Sequence, residues 1–240
     1  MVVSGSGLGD WVVVKISGSL VYPPRGDYYR MLLSTLRRCS SSRRMVVVVG
    51  GGPLARDAIK ALRAAGLHSR SLLDLAGIAA TRFNGRLLSL ALYPVSPPRT
   101  AETLDELIEM AASYRVVFMG GLQPGQSTNA VALAAAEAVG AKLVVNLLSG
   151  VAGVYRRFPP GDGEKPLECI SLDELADIVR EAEQSPGAYK LIDHVALGIA
   201  RRSGISIVFA DGSNPTVIER ILRGERLGTI VRPEGCPTRG

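Results

Sequence analysis

Hydrophobic positions fall in two rhythms along this chain. Short unbroken runs of β-branched residues read as buried strands, and longer stretches with helical spacing lie between them. Trp11 to Leu20 opens with such a run and enters a tight turn at Ser17-Gly18-Ser19. Met45 to Val49, Arg115 to Met119, Ala141 to Asn146 and Ile205 to Phe209 are the other predicted strands. Helical spacing marks Tyr29 to Arg38, Leu54 to Ala65, Ser71 to Tyr93, Thr103 to Ser113, Thr128 to Val139, Ile192 to Arg202 and Thr216 to Arg223. Ser171-Leu-Asp-Glu174 has the pattern of a capping box and predicts a helix start. Arg156 to Glu168 is polar and rich in Pro and Gly, an exposed loop, and the tail after Val231 reads as loose.

The strands are uniformly apolar and alternate with helices. That pattern predicts a mainly parallel sheet covered on both faces. A chain of 240 residues and 25.4 kDa is ample for one buried core. Composition adds exclusions. The most apolar region, Ala130 to Val145, carries Glu137 and Lys142, so no membrane span is expected. The N-terminus lacks the basic start and apolar core of a secretory signal. Three cysteines, Cys39, Cys169 and Cys236, are too few and scattered for a disulfide framework or a zinc site, and they read as packing or tail residues in a reduced cytosol. Seven Asn and Gln residues hint at heat adaptation.

The net charge of +6 comes from 23 Arg and 5 Lys against 22 acidic residues. Arg suits phosphate and carboxylate alike, so nucleic acid and small anions are both candidates. Low aromatic content, 5%, and the lack of aromatics interleaved with basic residues argue against a nucleic-acid surface. Arg37, Arg38, Arg43 and Arg44 read as a solvated face, and Arg201 and Arg202 as helix C-terminal charges. Arg82 is open between an interface and a site. His68 reads as a surface residue and His194 as a surface or supporting one.

Three strands end in glycine-rich turns: Ser17-Gly18-Ser19, Gly50-Gly51-Gly52 and Gly120-Gly121-x-x-Pro124-Gly125. Ligands of open α/β sheets bind beyond the carboxyl ends of strands, where bare backbone N–H groups approach an anion. Three such turns on one sheet edge point to a polyphosphate. Neither a P-loop nor a dinucleotide fingerprint is present. Lys15, inside an apolar strand just before the first turn, reads as a cation aimed at a transferring phosphoryl group.

Lys15-Ile-Ser-Gly-Ser19, Val49-Gly-Gly-Gly-Pro-Leu-Ala-Arg56, Asp74-Leu-Ala-Gly77 through Asn84-Gly85, and Met119-Gly-Gly-Leu-Gln-Pro-Gly125 resemble the amino acid kinase superfamily, in its archaeal UMP kinase branch. Gly153-Val-Tyr155, Lys190-Leu-Ile-Asp193, Arg202-Ser-Gly-Ile205 and Gly224 to Ile230 agree. The resemblance implies a three-layer αβα sandwich around a mainly parallel open sheet of about eight strands. It implies one domain over residues 11–231, with an acceptor half at about 11–125, an ATP half at about 126–231, and tails at 1–10 and 232–240. It further implies transfer of the ATP γ-phosphate to UMP with Mg²⁺, in a cytoplasmic homo-oligomer, typically a hexamer.

By the same resemblance, Lys15, Gly18 and Ser19 face the phosphates, and Gly51, Gly52 and Arg56 hold the UMP phosphate. Asp74 binds the ribose, Gly77 lets backbone approach, and Gly121 and Thr128 touch the acceptor. Ser149, Gly150, Gly153 and Tyr155 flank ATP. Lys190 and Asp193 lie near the transferring phosphate, and no residue is assigned as a metal ligand.

The chain departs from the family where Ser127-Thr128-Asn129-Ala130 replaces Thr-Thr-Asp-Ala and where Ser149-Gly150-Val151-Ala152 replaces Thr-Asn-Val-Asp. Two acidic positions are therefore neutral. An alternative follows: a nucleotide-binding, storage or regulatory oligomer with impaired catalysis, in which Asn129→Asp with Ala152→Asp restores turnover. A related kinase with another acceptor is a further alternative. The presence of Asp74 and the absence of His near Gly50 to Pro53 favour a nucleotide.

Overall fold

The computed structural model describes residues 10–183 and 191–236. In chain order its elements are β1 (Trp11–Ile16), α1 (Gly18–Val21), α2 (Gly26–Ser40), β2 (Arg44–Val49), α3 (Gly52–Ala64), α4 (Arg70–Leu92), α5 (Leu104–Ser113) and β3 (Val116–Met119). Then follow α6 (Thr128–Val139), β4 (Leu143–Leu148), β5 (Cys169–Ser171), α7 (Leu172–Glu183), α8 (His194–Ser203), β6 (Ser206–Asp211), α9 (Val217–Leu222) and β7 (Thr229–Arg232). The strands form one sheet of seven among the described residues, in the order β3-β2-β1-β4-β6-β7-β5. Neighbours are parallel except β6 and β7, which are antiparallel.

Both faces of the sheet are covered, which explains why the central strands carry Val and Ile at successive positions. Val13, Val46, Val48, Val117 and Val144 face one core, closed by α5, α6, α7 and α8. Val12, Val14, Val47, Val145 and Val208 face the other, closed by α1, α2, α4 and α9. The strand and helix order is that of a doubly wound α/β sandwich. Helix α3 contributes no fully buried residue and packs on α4 instead of the sheet.

The capping box forms as expected: Ser171 Oγ accepts from Glu174 N at 3.1 Å, and Ser171 N donates to Glu174 Oε2 at 2.8 Å. Three features depart from the sequence reading. The expected turn after β1 is a short helix, α1. Strands β5 and β7 escape the hydrophobic pattern, because they are short and bury only alternate residues, so no unbroken apolar run marks them. The cysteines also differ: Cys39 is buried in packing, whereas Cys169 and Cys236 are disulfide-bonded, with Cα atoms 6.0 Å apart. Sequence separation hides that pairing. Strand β7 pairs with β5, Cys169 opposite Ile230, and this carries the end of the chain back to Cys169, so the tail is tied through Cys236.

Candidate active site

The sheet order places the carboxyl ends of β3, β2, β1, β4 and β6 side by side, and the glycine turns emerge there. At the centre, the turn after β1 and the turn after β2 press directly on each other. A Cβ on Gly18 would lie closer than 3.0 Å to the backbone of Gly50 and Gly52. Gly52, with φ +58°, would likewise run its Cβ into the Gly18 carbonyl and Ser19 N. Only glycine satisfies both the contact and the left-handed backbone. Gly50 N donates to Ile16 O at 2.9 Å and Ser17 N to Leu147 O at 3.0 Å, so the turn is anchored to both neighbouring strands.

Helix α3 starts in this turn. Its N-terminus has no side-chain cap and no acidic residue in the first turn, so its forward amides are open to an anion. Arg56, one turn further, is exposed. Asn84, part of a sequence motif but without a role assigned from it, holds the turn from α4: its Nδ2 donates to Gly50 O (2.9 Å) and Gly51 O (3.2 Å). Its signal in the sequence is only a polar residue at an inward position of a long helix.

The third turn is fastened to α4. Thr81 Oγ1 accepts from Gly121 N at 2.6 Å, and Asp74 Oδ2 accepts from Gly125 N at 2.9 Å. Gly77 lies on the α4 face that meets α3 and the second turn. Arg82 donates to the carbonyls of Gly121, Leu122 and Glu102 and pairs with the Glu102 carboxylate. Within this chain it is a fastener of the loop.

Lys15 is the penultimate residue of β1 and faces the core beneath α6. Burial lowers its pKa to about 8. Among the described residues, no carboxylate or hydrogen-bond partner meets its ammonium. A half-buried, unpaired cation beside glycine turns is a site for an anion that arrives from solution. Beside it, α6 begins at Thr128. Ser127 caps the helix by accepting from Asn129 N and Ala130 N, both at 3.1 Å, and donates to Asp193 Oδ2. Asp193 in turn caps α8 through Oδ1 to Ala196 N at 3.0 Å. The N-termini of α6 and α8 are thus joined next to Lys15. Lys190 lies outside the described residues.

On the other side, Ser149 and Gly150 follow β4 in an exposed loop. Gly150 N donates to Asp211 Oδ1 at 3.1 Å, and Val154 N, between Gly153 and Tyr155, donates to the buried Thr229 Oγ1 at 2.8 Å. Asp211 and Thr229 are organising residues to which the sequence reading gives no role, since their partners lie more than sixty residues away. The two departures from the family pattern sit differently: Ala152 is exposed, whereas Asn129 is inside a hydrogen-bonded network. Among the described residues there is no group of three or more His, Cys, Asp or Glu able to hold a metal by itself. A separate hollow of about 1030 Å³ lies against β7 and the Cys169–Cys236 bond; none of Lys15, Gly18, Gly51 or Gly121 lines it.

A doubly wound sheet with interlocked glycine turns around a half-buried, unpaired lysine defines a phosphate-handling α/β protein. The model of the amino acid kinase family matches residues 10–211, and the chain belongs to that family. The chain is 48% identical over 222 residues to the uridylate kinase of Aeropyrum pernix, covering 92% of this chain and 98% of that one. It is 41% identical to the uridylate kinase of Hyperthermus butylicus, covering 92% and 97%. The crystal structure of uridylate kinase from Archaeoglobus fulgidus superposes with a TM-score of 0.82 at 33% identity, covering 92% of this chain and 99% of that chain. No helix among the described residues is long and apolar enough to cross a membrane.

Proposed function

We propose that this protein is a nucleoside monophosphate kinase that moves the ATP γ-phosphate to UMP, giving UDP. The single observation that carries the chemistry is Lys15: a half-buried lysine whose ammonium has no counter-charge among the described residues, at the mouth of the interlocked Gly18 and Gly52 turns. The uridylate kinase names of relatives up to 48% identical supply the acceptor.

The roles are those the family resemblance implies for these residues. The uncapped α3 N-terminus, with Gly51, Gly52 and Arg56, receives the UMP phosphate. Asp74, held by Gly125 N, stands where it can accept from the ribose hydroxyls, while Gly77, Gly121 and Thr128 line the acceptor side. Gly18 and Ser19 receive phosphate oxygens of ATP, and Ser149, Gly150, Gly153 and Tyr155 flank its nucleoside. Lys15 neutralises charge on the transferring group. Asp193 borders it, and the family resemblance assigns Lys190 to the same group. Phosphoryl transfer needs positioning and charge neutralisation more than covalent help, and the acceptor phosphate is already a competent nucleophile.

Mg²⁺ supplies charge neutralisation on the nucleotide when bound. It ordinarily keeps several waters and binds through one or two carboxylates plus substrate phosphates. The donor set here, with Asp193 the carboxylate bordering the site, fits a cation brought in mainly on ATP. The acceptor and ATP halves form one domain over residues 11–231. The protein works in the cytoplasm as a homo-oligomer; a disulfide is compatible with that setting in intracellular proteins of heat-adapted archaea. The test is a coupled assay with ATP, Mg²⁺ and UMP, CMP or AMP. UMP-dependent turnover that Lys15→Met abolishes supports the reading. Wild-type turnover no higher than that of Lys15→Met with every acceptor excludes it and favours the impaired nucleotide-binding alternative.

A further inference from the structure

Strand β4 contributes a side chain that the assignments above do not use. Asn146 is paired in register with Lys15 on the adjacent parallel strand. Alternation along β1 and β4 sends both side chains to the same face, the one that packs under α6. Asn146 is only 2% exposed. Its Nδ2 donates to Asn129 Oδ1 at 3.0 Å, and Asn129 Nδ2 donates to Leu191 O at 3.0 Å. Its own Oδ1 is buried and meets no partner among the described residues.

The polarity of this chain is dictated from its far end. Leu191 O can only accept, so Asn129 must turn its NH₂ toward it and its oxygen toward Asn146. Asn146 must then give its NH₂ to Asn129, which leaves Oδ1 pointing away from α6. A buried acceptor without a donor costs free energy, and so does a partly desolvated ammonium without an acceptor. The two stand on adjacent strands at the same register position. A carboxylate in place of the Asn129 amide could not build this arrangement, because it has no donor for Leu191 O.

We infer that Asn146 is a positioning residue: during the transfer its Oδ1, aimed by the Asn129–Leu191 relay, comes to take one N–H of Lys15, a bond the two do not make in the structure described, and turns the remaining two toward the phosphoryl group. This inference rests on the phosphoryl-transfer reading and deepens it. The neutral Asn129 is then a different way to orient the lysine, in place of a nearby carboxylate.

Steady-state kinetics with UMP and ATP on the full chain test this. Asn146→Leu keeps the volume but accepts nothing; kcat is expected to fall about 10- to 100-fold while both KM values stay within about twofold. Asn146→Asp, which restores an acceptor on β4, is expected to have a higher kcat than Asn146→Leu. Asn129→Ala, favourable in a helix, releases Asn146 without touching β4 and is expected to lower kcat several-fold. This arm decides the matter if Asn146→Leu does not fold. Wild-type kcat in Asn146→Leu or in Asn129→Ala overturns the inference, as does equal loss in Asn146→Leu and Asn146→Asp. A wild-type chain inactive on UMP overturns the phosphoryl-transfer reading itself, which the variants do not test.

Discussion

At the scale of single residues, Lys15 sets activity against stability. A partly desolvated ammonium is costly to the fold and valuable to an anion. Lys15→Met is therefore expected to lower kcat by ~10²-fold or more and to raise the melting temperature at pH 7, checked by turnover and calorimetry on one preparation. The pH dependence follows from a pKa lowered to about 8 from the ordinary 10.5. Free enzyme loses the ammonium as pH rises through about 8, so kcat/KM falls above that point. Between about 8 and 10.5 the unfolded chain binds more protons at this residue than the folded one, so Lys15 makes stability rise with pH across that window. Lys15→Met removes both trends. At Asn129 the hydrogen bonds argue for a different outcome from the sequence. Sequence alone suggests that Asn129→Asp with Ala152→Asp repairs a defect. In the structure the new carboxylate of Asn129→Asp would face the Leu191 carbonyl, so this substitution is expected to lower kcat, measured in the same assay.

At the scale of elements, legibility in the sequence depends on what kind of signal each element carries. Helix α6, Thr128–Val139, is legible to the residue, because Ser127 caps it and Gly140 ends it in the left-handed region. The central strands are legible because burial on both faces demands unbroken apolar runs. Strands β5 and β7 are not, since their stability comes from pairing across the chain. The site is legible where glycine and lysine mark it locally, at Lys15, Gly18, Gly51 and Gly52. It is hidden where one side chain acts on backbone far away, as Asn84, Thr229 and Asp211 do. The capping box is a local signal that can be tested alone. Ser171→Ala is expected to cost about 1 kcal/mol in chemical denaturation and to leave kcat unchanged, because α7 takes no part in the site.

At the scale of the whole molecule, the Arg-rich surface and the disulfide serve the fold. Arg38 pairs with Glu219, Arg201 with Asp173, Arg202 with Glu137 and Arg43 with Asp10, so much of the positive charge is already answered by carboxylates of this chain. Arg44 instead stacks over the Trp11 ring, 4.2 Å from its centroid. A nucleic-acid partner is not needed to explain the net charge. The Cys169–Cys236 bond closes a long loop, with a sequence separation of 67, and pins the end of the chain to the sheet edge. Loop-closure entropy sets an upper value of about 4 kcal/mol for its contribution. Cys236→Ser is expected to lower the denaturation midpoint and to remove the effect of a reducing agent on it. Cys39→Ser should leave that effect in place, since Cys39 is unbridged.

The central claim is that the glycine turns and Lys15 pass a phosphoryl group between two nucleotides, and ³¹P NMR observes that transfer directly. With UMP, ATP and Mg²⁺, the account predicts the β-phosphate signal of UDP growing as ATP is converted to ADP, one for one, and absent with Lys15→Met. Release of inorganic phosphate without UDP, or no change in either nucleotide, would contradict it.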